Sequence, residues 1–305
     1  ARAGGAGPGR RRAALPLAFP AVSAVPTVLV TGAGRGIGRA ACEAFADAGW
    51  RVVAGVRDVG AARAAYAGRG AVTVTHLDVT DAASVAAGVA VAEEAAGGAL
   101  ACLVGNAGYA VLGAVEEVDL DEVRAMFETN LFGAAAVVQR ALPAMREAGA
   151  GTLVFVSSIG ARLSNPLVGM YHASKYGLSA MAEALAVETR PFGIRVHTVE
   201  PGMVDTDFPR ATRPTGPVSR GEGPYAPLLA EVRKGFAAWR ARESCGPEDV
   251  ARAVLRAATD PAAPFRIPVG SDAERLAEMR ETTPDDRRFH DELVGFLQLD
   301  WPRAR

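Results

Sequence analysis

Seven short runs rich in β-branched residues alternate with Ala-rich stretches long enough for helices, and nothing else in this 305-residue chain limits its fold as strongly. Thr27 to Thr31, Arg51 to Val56, Ala71 to Leu77, Leu100 to Val104, Thr152 to Ser157, Ile194 to Val199 and Phe265 to Val269 read as strands. Gly36 to Ala48, Asp81 to Ala96, Leu120 to Ala148 and Tyr171 to Arg190 read as helices. The strands are apolar nearly throughout instead of alternating, so both faces of their sheet must be covered. The pattern predicts an α/β fold: a single doubly wound domain, with a parallel seven-stranded sheet, helices on both faces and right-handed crossovers. Ligands of such sheets sit beyond the carboxyl ends of the strands, so motifs there carry the most weight.

Composition narrows the function classes. Half the residues are hydrophobic and 22% are charged, which supports a sizeable core and excludes disorder throughout. Thirty-three Lys and Arg against 34 Asp and Glu leave a net charge of -1, so no polybasic surface for nucleic acid is expected. Cys42, Cys102 and Cys245 are far apart and form no C-x-x-C pair. They indicate neither a disulfide framework nor a metal site, and fit a reducing, cytoplasmic compartment. Residues 1–26 carry Arg10 to Arg12 before an apolar stretch that superficially resembles an export signal. Pro16, Pro20 and Pro26 break that stretch, and a disordered extension with no membrane span is expected instead.

The first strand runs directly into Gly32-Ala33-Gly34-Arg35-Gly36-Ile37-Gly38 and then a helix. Glycines let the backbone turn tightly and approach a pyrophosphate, whose charge is met by free N–H groups at the helix start. Far downstream lies Tyr171-His172-Ala173-Ser174-Lys175. Tyr171 and Lys175 are four apart and share a helix face, so the ammonium is expected to lower a phenol pKa that is ordinarily about 10. Tyr171 can then give a proton to a carbonyl or take one from an alcohol. His172 points about 100° away from its neighbour and reads as structural.

With Thr31-Gly32-x-x-x-Gly36-x-Gly38 and Tyr171-x-x-x-Lys175 in one chain, the sequence resembles the short-chain dehydrogenase/reductase family from about Thr27 to Gly270. Further motifs follow in family order: Asp78-Val79, Asn106-Ala107-Gly108, Asn130 with Gly133, Ser157-Ser158, and Pro201-Gly202 with Thr206. The resemblance implies a Rossmann-type oxidoreductase that passes a hydride between nicotinamide C4 and a ketone, aldehyde or alcohol. It implies a catalytic set of Asn130, Ser158, Tyr171 and Lys175. Ser158, thirteen positions before Tyr171, would hydrogen-bond the substrate oxygen, and Asn130 with Lys175 would hold a water chain. Cofactor contacts are expected from Gly32, Arg35, Gly36, Ile37, Gly38, Arg57, Asp78, Val79, Asn106, Ala107, Gly108, Tyr171, Lys175, Pro201, Gly202, Val204 and Thr206. A non-catalytic nucleotide sensor is the rival reading; it would be expected to lose the tyrosine or lysine, and both are present.

Arg57 follows the second strand where an NAD-preferring chain would carry an acid, and Arg35 lies in the glycine loop. Two arginines can clamp a 2′-phosphate, so NADP is expected; Asp58 would favour NAD if the turn shifted by one residue.

Two features depart from the family pattern. Gly105 replaces the first asparagine of N-N-A-G, and residues 271–305 form an added tail resembling the hydroxysteroid- and retinol-dehydrogenase-like branch. That helical tail, with Phe289, Phe296, Leu297 and Trp301, either lines an apolar pocket or caps the core. The proline-rich insertion Asp207 to Gly246, with a helix at Ala226 to Arg242, reads as a substrate lid or as a passive surface loop. Met203, Phe208, Leu228, Leu229, Phe236 and Trp239 either touch substrate or pack the helix onto the body. The partners expected are a small carbonyl or alcohol substrate and further copies of this chain, as a dimer or tetramer paired through the two long helices.

Overall fold

The computed structural model describes residues 25–206 and 208–300, so nearly all of the expected disordered extension at residues 1–26, and Trp301, lie outside the described residues. In chain order the elements begin β1 (Thr27–Thr31), α1 (Gly36–Asp47), β2 (Arg51–Val56), α2 (Val59–Ala65), β3 (Val72–His76), α3 (Ala82–Ala96), β4 (Cys102–Gly105) and β5 (Val111–Leu112). They continue α4 (Leu120–Phe127), α5 (Gly133–Ala148), β6 (Gly151–Val156), α6 (Gly169–Glu188), β7 (Ile194–Pro201), α7 (Phe208–Ala211) and β8 (Arg213–Pro214). The last are α8 (Ala226–Arg242), α9 (Pro247–Thr259), β9 (Arg266–Val269), α10 (Ser271–Thr282) and α11 (Asp286–Phe296).

Seven parallel strands form one sheet in the order β3-β2-β1-β4-β6-β7-β9. Alternate side chains of each strand feed two cores. Val28, Val30, Val52 and Ala54 face Phe45 of α1 and Val250 and Val254 of α9. Leu29, Val53, Leu103 and Leu153 face Val85 and Val89 of α3, Val137 of α5 and Leu178 of α6. Covered faces explain the near-continuous apolar strands. The strand order reverses between β1 and β4, which places a switch-point crevice beyond their carboxyl ends.

The helix expected over Leu120 to Ala148 is interrupted. Residues Glu128–Phe132 form a π turn, and the N–H of Gly133 bonds back five residues to the carbonyl of Glu128. Gly133, which closes the turn, must be glycine, because a Cβ there would lie 2.6 Å from Val79 Cγ2. Gly105 also has a packing reason: a Cβ there would lie 2.9 Å from Phe155 Cδ1, so Phe155 fills the space of a larger side chain. Helices α10 and α11 bury Leu276, Phe289 and Leu293 against Ile159, Leu163 and Trp239. Among the described residues no helix is long and apolar enough to cross a membrane.

Candidate active site

The glycine loop is shaped by what surrounds it. Gly32 and Gly36 have φ of 65° and 52°, a region open to glycine, and a Cβ at Gly38 would lie 2.4 Å from the carbonyl of Gly32. Thr31 Oγ1 accepts the N–H groups of Asn106 (3.0 Å) and Ala107 (3.1 Å). Asn106 Nδ2 in turn donates to the carbonyls of Thr31 (2.9 Å) and Gly32 (3.2 Å). The side chain of Asn106 therefore braces the loop instead of reaching into the crevice. The first turn of α1 carries no acidic residue and no side-chain cap, so the positive end of its dipole is left for an anion.

Ala33 N–H donates to the carbonyl of Gly55 at 3.1 Å, bringing the loop against the end of β2. Exposed Arg35 and Arg57 flank that junction. Asp58 is committed elsewhere: its Oδ1 caps α2 by accepting the N–H of Ala61 at 3.0 Å. Asp78 Oδ1 accepts from the N–H (3.0 Å) and hydroxyl (2.8 Å) of Thr80. Those bonds, the backbone one foremost, hold its carboxyl below the usual range, and the charge of Arg57 adds to them. These glycines and the uncapped start of α1 fit the pyrophosphate of a nicotinamide dinucleotide.

The four expected catalytic residues come together across this crevice. Ser158 caps a short 3-10 turn at Ile159–Ala161, its Oγ accepting the N–H of Gly160 at 3.0 Å, and its side chain acts on the phenol of Tyr171, opposing the rise that burial causes there. Ser157 instead faces inward, 3.0 Å from Ser179 Oγ. Lys175 Nζ donates to the carbonyl of Val156 at 2.9 Å and lies 6.0 Å from the centre of the Tyr171 ring. Asn130 Oδ1 accepts the N–H of Tyr109 (3.0 Å), and its Nδ2 donates to the carbonyl of Tyr109 (2.9 Å) and to Ser174 Oγ (2.9 Å). Ser174 Oγ closes the circuit by donating to the carbonyl of Tyr171 at 2.6 Å. Gly108 stands between them: a Cβ there would lie 3.0 Å from Asn130 Oδ1 and 3.6 Å from Lys175 Nζ.

Electrostatics correct one expectation. The phenol of Tyr171 is not lowered by the ammonium four residues on; burial pushes it up to about 12, opposed by the side chain of Ser158. Burial likewise draws Lys175 down to about 8.

Thr206 closes over the loop, its Cβ 3.7 Å from a Cβ built at Gly36. Pro201 ends β7, the N–H of Gly202 donates to the carbonyl of Val269 at 3.1 Å, and Val204 bridges Cys245. The insertion is attached elsewhere too, since β8 pairs with β5 just beyond Gly108. Its helix α8 turns Leu229 and Trp239 into the body, where both are buried. Phe208 alone among the apolar residues named for the insertion stacks near the tyrosine, with ring centres 5.8 Å apart.

Sequence reasoning missed the supports beneath the site. Glu200 is fully buried and accepts from Arg162 Nε (2.6 Å), Arg266 Nη1 (3.0 Å) and Thr198 Oγ1 (3.0 Å). Arg162 also pairs with Glu281 of α10 at 2.8 Å, so the loop after Ser158, β7, β9 and the tail are tied to one another. Arginine four residues beyond Ser158 was the available signal.

Residues 26–216 match the family model described as short chain dehydrogenase. A 3-ketodihydrosphingosine reductase from Bacteroides thetaiotaomicron is 30% identical over 262 residues, covering 85% of this chain and 93% of that protein. The rat estradiol 17-beta-dehydrogenase 1 is 30% identical over 288 residues, covering 89% and 83%. Among solved structures, a short-chain dehydrogenase from Streptomyces avermitilis superposes with a TM-score of 0.74 at 33% identity, covering 89% of this chain and 99% of that one.

Proposed function

The chain belongs to the short-chain dehydrogenase family and is an oxidoreductase acting on alcohols and ketones, and from that premise we propose an NADP-dependent enzyme for a bulky apolar ketone or secondary alcohol. The observation that carries the reading is that Lys175 Nζ lies 6.0 Å from the Tyr171 ring, with Asn130 and Lys175 both against Gly108 of the motif that follows β4.

The nicotinamide cofactor, when bound, supplies or receives the hydride. Gly32, Gly36, Ile37 and Gly38 with the start of α1 would hold its pyrophosphate, and Arg35 and Arg57 would hold the 2′-phosphate. Asp78, Val79, Ala107, Gly108, Pro201, Gly202, Val204 and Thr206 complete the walls. In reduction, Tyr171 gives its proton to the carbonyl oxygen while the Ser158 hydroxyl steadies the charge developing there. A phenol held at about 12 keeps that proton at neutral pH, as an acid must. Lys175, drawn down to about 8 by burial, is the charged group beside the phenol and restores its proton; Asn130 fixes Tyr109 and Ser174 around it.

The relatives named for a ketosphingoid and a steroid support an apolar substrate, and Phe208 in the lid segment offers it a contact. Three unpaired thiols support a cytoplasmic location, and a homo-oligomer completes the reading. The decisive experiment is NADPH oxidation with steroid, retinoid, quinone and acyl ketones by wild type and Tyr171→Phe. The variant should lose at least about 10²-fold in rate and keep NADPH binding. Retention of more than about 5% of the rate would remove the assignment.

A further inference from the structure

We propose that Asp272, from the C-terminal tail, is a positioning residue for the turn after β7, and that residue 202 is glycine because the Asp272 carboxylate occupies the space of a side chain there. The inference rests on the cofactor reading above only for its effect on NADPH.

Asp272 is completely buried in the first turn of α10. Its Oδ2 accepts the backbone N–H of Met203 at 2.6 Å and the indole N–H of Trp239 at 2.8 Å, while Oδ1 has no hydrogen-bond partner. A buried carboxylate is costly, and this one is retained where the turn after β7, α8 and the tail converge. The turn is shaped to receive it. A Cβ at Gly202 would lie 2.1 Å from Oδ2 and 2.3 Å from Oδ1, and one at Gly270 would lie 2.5 Å from Oδ1. Gly202 is not among the residues with positive φ, so its backbone does not demand glycine. Space does.

The contact reaches the glycine loop through a short strip of chain. The carbonyl of Met203 accepts the N–H of Cys245 at 3.0 Å, and the N–H of Asp205 donates to the carbonyl of Cys245 at 2.9 Å. Both ends of the insertion are thereby fastened to one strip. Thr206, next along it, lies over Gly36, its Cβ and Cγ2 3.7 Å from where a Cβ at Gly36 would be. Asp272 thus fixes Met203, and Met203 sets where Thr206 closes on the loop.

The test is a double-mutant cycle on the full chain with Gly202→Ala, Asp272→Ala and the pair, read by the KM for NADPH, kcat, melting temperature and hydrogen exchange of residues 203–206. Asp272→Ala should raise the KM for NADPH roughly tenfold, change kcat by less than about twofold and speed exchange in that strip. Asp272→Asn, which keeps an acceptor, should recover most of the loss. Gly202→Ala should be at least as damaging alone and add nothing when residue 272 is alanine. Equal damage from Gly202→Ala in both backgrounds, or an unchanged KM and exchange in Asp272→Ala, would overturn the proposal. Should wild type bind no nucleotide, the functional reading fails, and the cycle is still decided by melting temperature and exchange.

Discussion

His172 Nδ1 accepts the backbone N–H of Asn165 at 3.0 Å, so the neighbour of Tyr171 acts on the loop that carries Ser158 and not on the substrate. Its ring also lies where a side chain at residue 160 would be, with Cδ2 2.5 Å from a Cβ built at Gly160. Burial draws the imidazole down to about 4, which keeps it neutral and able to accept that bond. The consequence for stability has a definite sign. Above the unfolded value of about 6.5 both states are neutral and nothing is lost. As pH falls from there toward 4, the unfolded chain takes up a proton that the folded chain refuses, and up to roughly 3 kcal/mol of stability goes with it. Melting curves of wild type should therefore fall more steeply between pH 6.5 and 4 than those of His172→Asn. Parallel curves would show that His172 is not the group responsible.

Specificity should follow Phe208 and not the aromatic residues of α8. Phe208 is 39% exposed beside Tyr171, whereas Trp239 is 4% exposed, edge-on to Phe296 at 5.2 Å and bonded to Asp272. Phe208→Ala should reorder substrates by kcat/KM with little change in melting temperature. Trp239→Ala should instead cost about 3–5 kcal/mol of stability. A reordering by Trp239→Ala at unchanged stability would reverse the assignment.

What was legible in the sequence, and what was not, follows from range. The sheet was legible because its central strands, buried on both faces, are apolar nearly throughout, and each motif at a strand end is local. The Tyr171 and Lys175 pair was legible because helical spacing puts both on one face. Asn130 was legible as a residue but not as part of a π turn, since one extra residue in a helical turn leaves the apolar spacing around it almost unchanged. Glu200 was legible only through Arg162, four residues beyond Ser158, and Asp272 was not legible at all. A charged side chain reads as solvated until the structure shows its partners, and theirs lie at Arg162, Arg266, Met203 and Trp239. The two-residue pairing of β5 with β8 is too short to leave any periodicity.

The arginines supply a test of nucleotide choice. Arg35 and Arg57 are exposed beside the end of β2, and Asp58, the acid that would favour NAD, is engaged in capping α2. Arg35→Ala and Arg57→Ala should each weaken NADPH binding by about 1–3 kcal/mol and leave NADH nearly unchanged. Titration calorimetry with both nucleotides decides it; equal losses for the two would mean that these side chains do not read the 2′-phosphate.

Assembly is the last expectation. One face of α6 presents Ala173, Tyr176, Ala180, Ala184 and Val187 to solvent, interrupted only by Glu183, which pairs with Arg266, and Phe132 stands exposed at the start of the neighbouring α5. Tyr176, Val187 and Phe132 are 44%, 73% and 55% exposed. A surface helix ordinarily turns a polar face outward, and α6 already buries Leu178, Ala182 and Leu185 on its other side. An apolar stripe opposite that buried face needs a second cover. The small alanines allow a helix to approach closely, and a symmetric pair of copies would place α6 against α6 with Phe132 at the margin. Light scattering at micromolar concentration should therefore report a dimer or tetramer. Val187→Glu combined with Tyr176→Glu should shift it toward monomer while leaving NADPH affinity within about twofold, because neither side chain belongs to the crevice. A wild-type monomer at that concentration would refute the pairing.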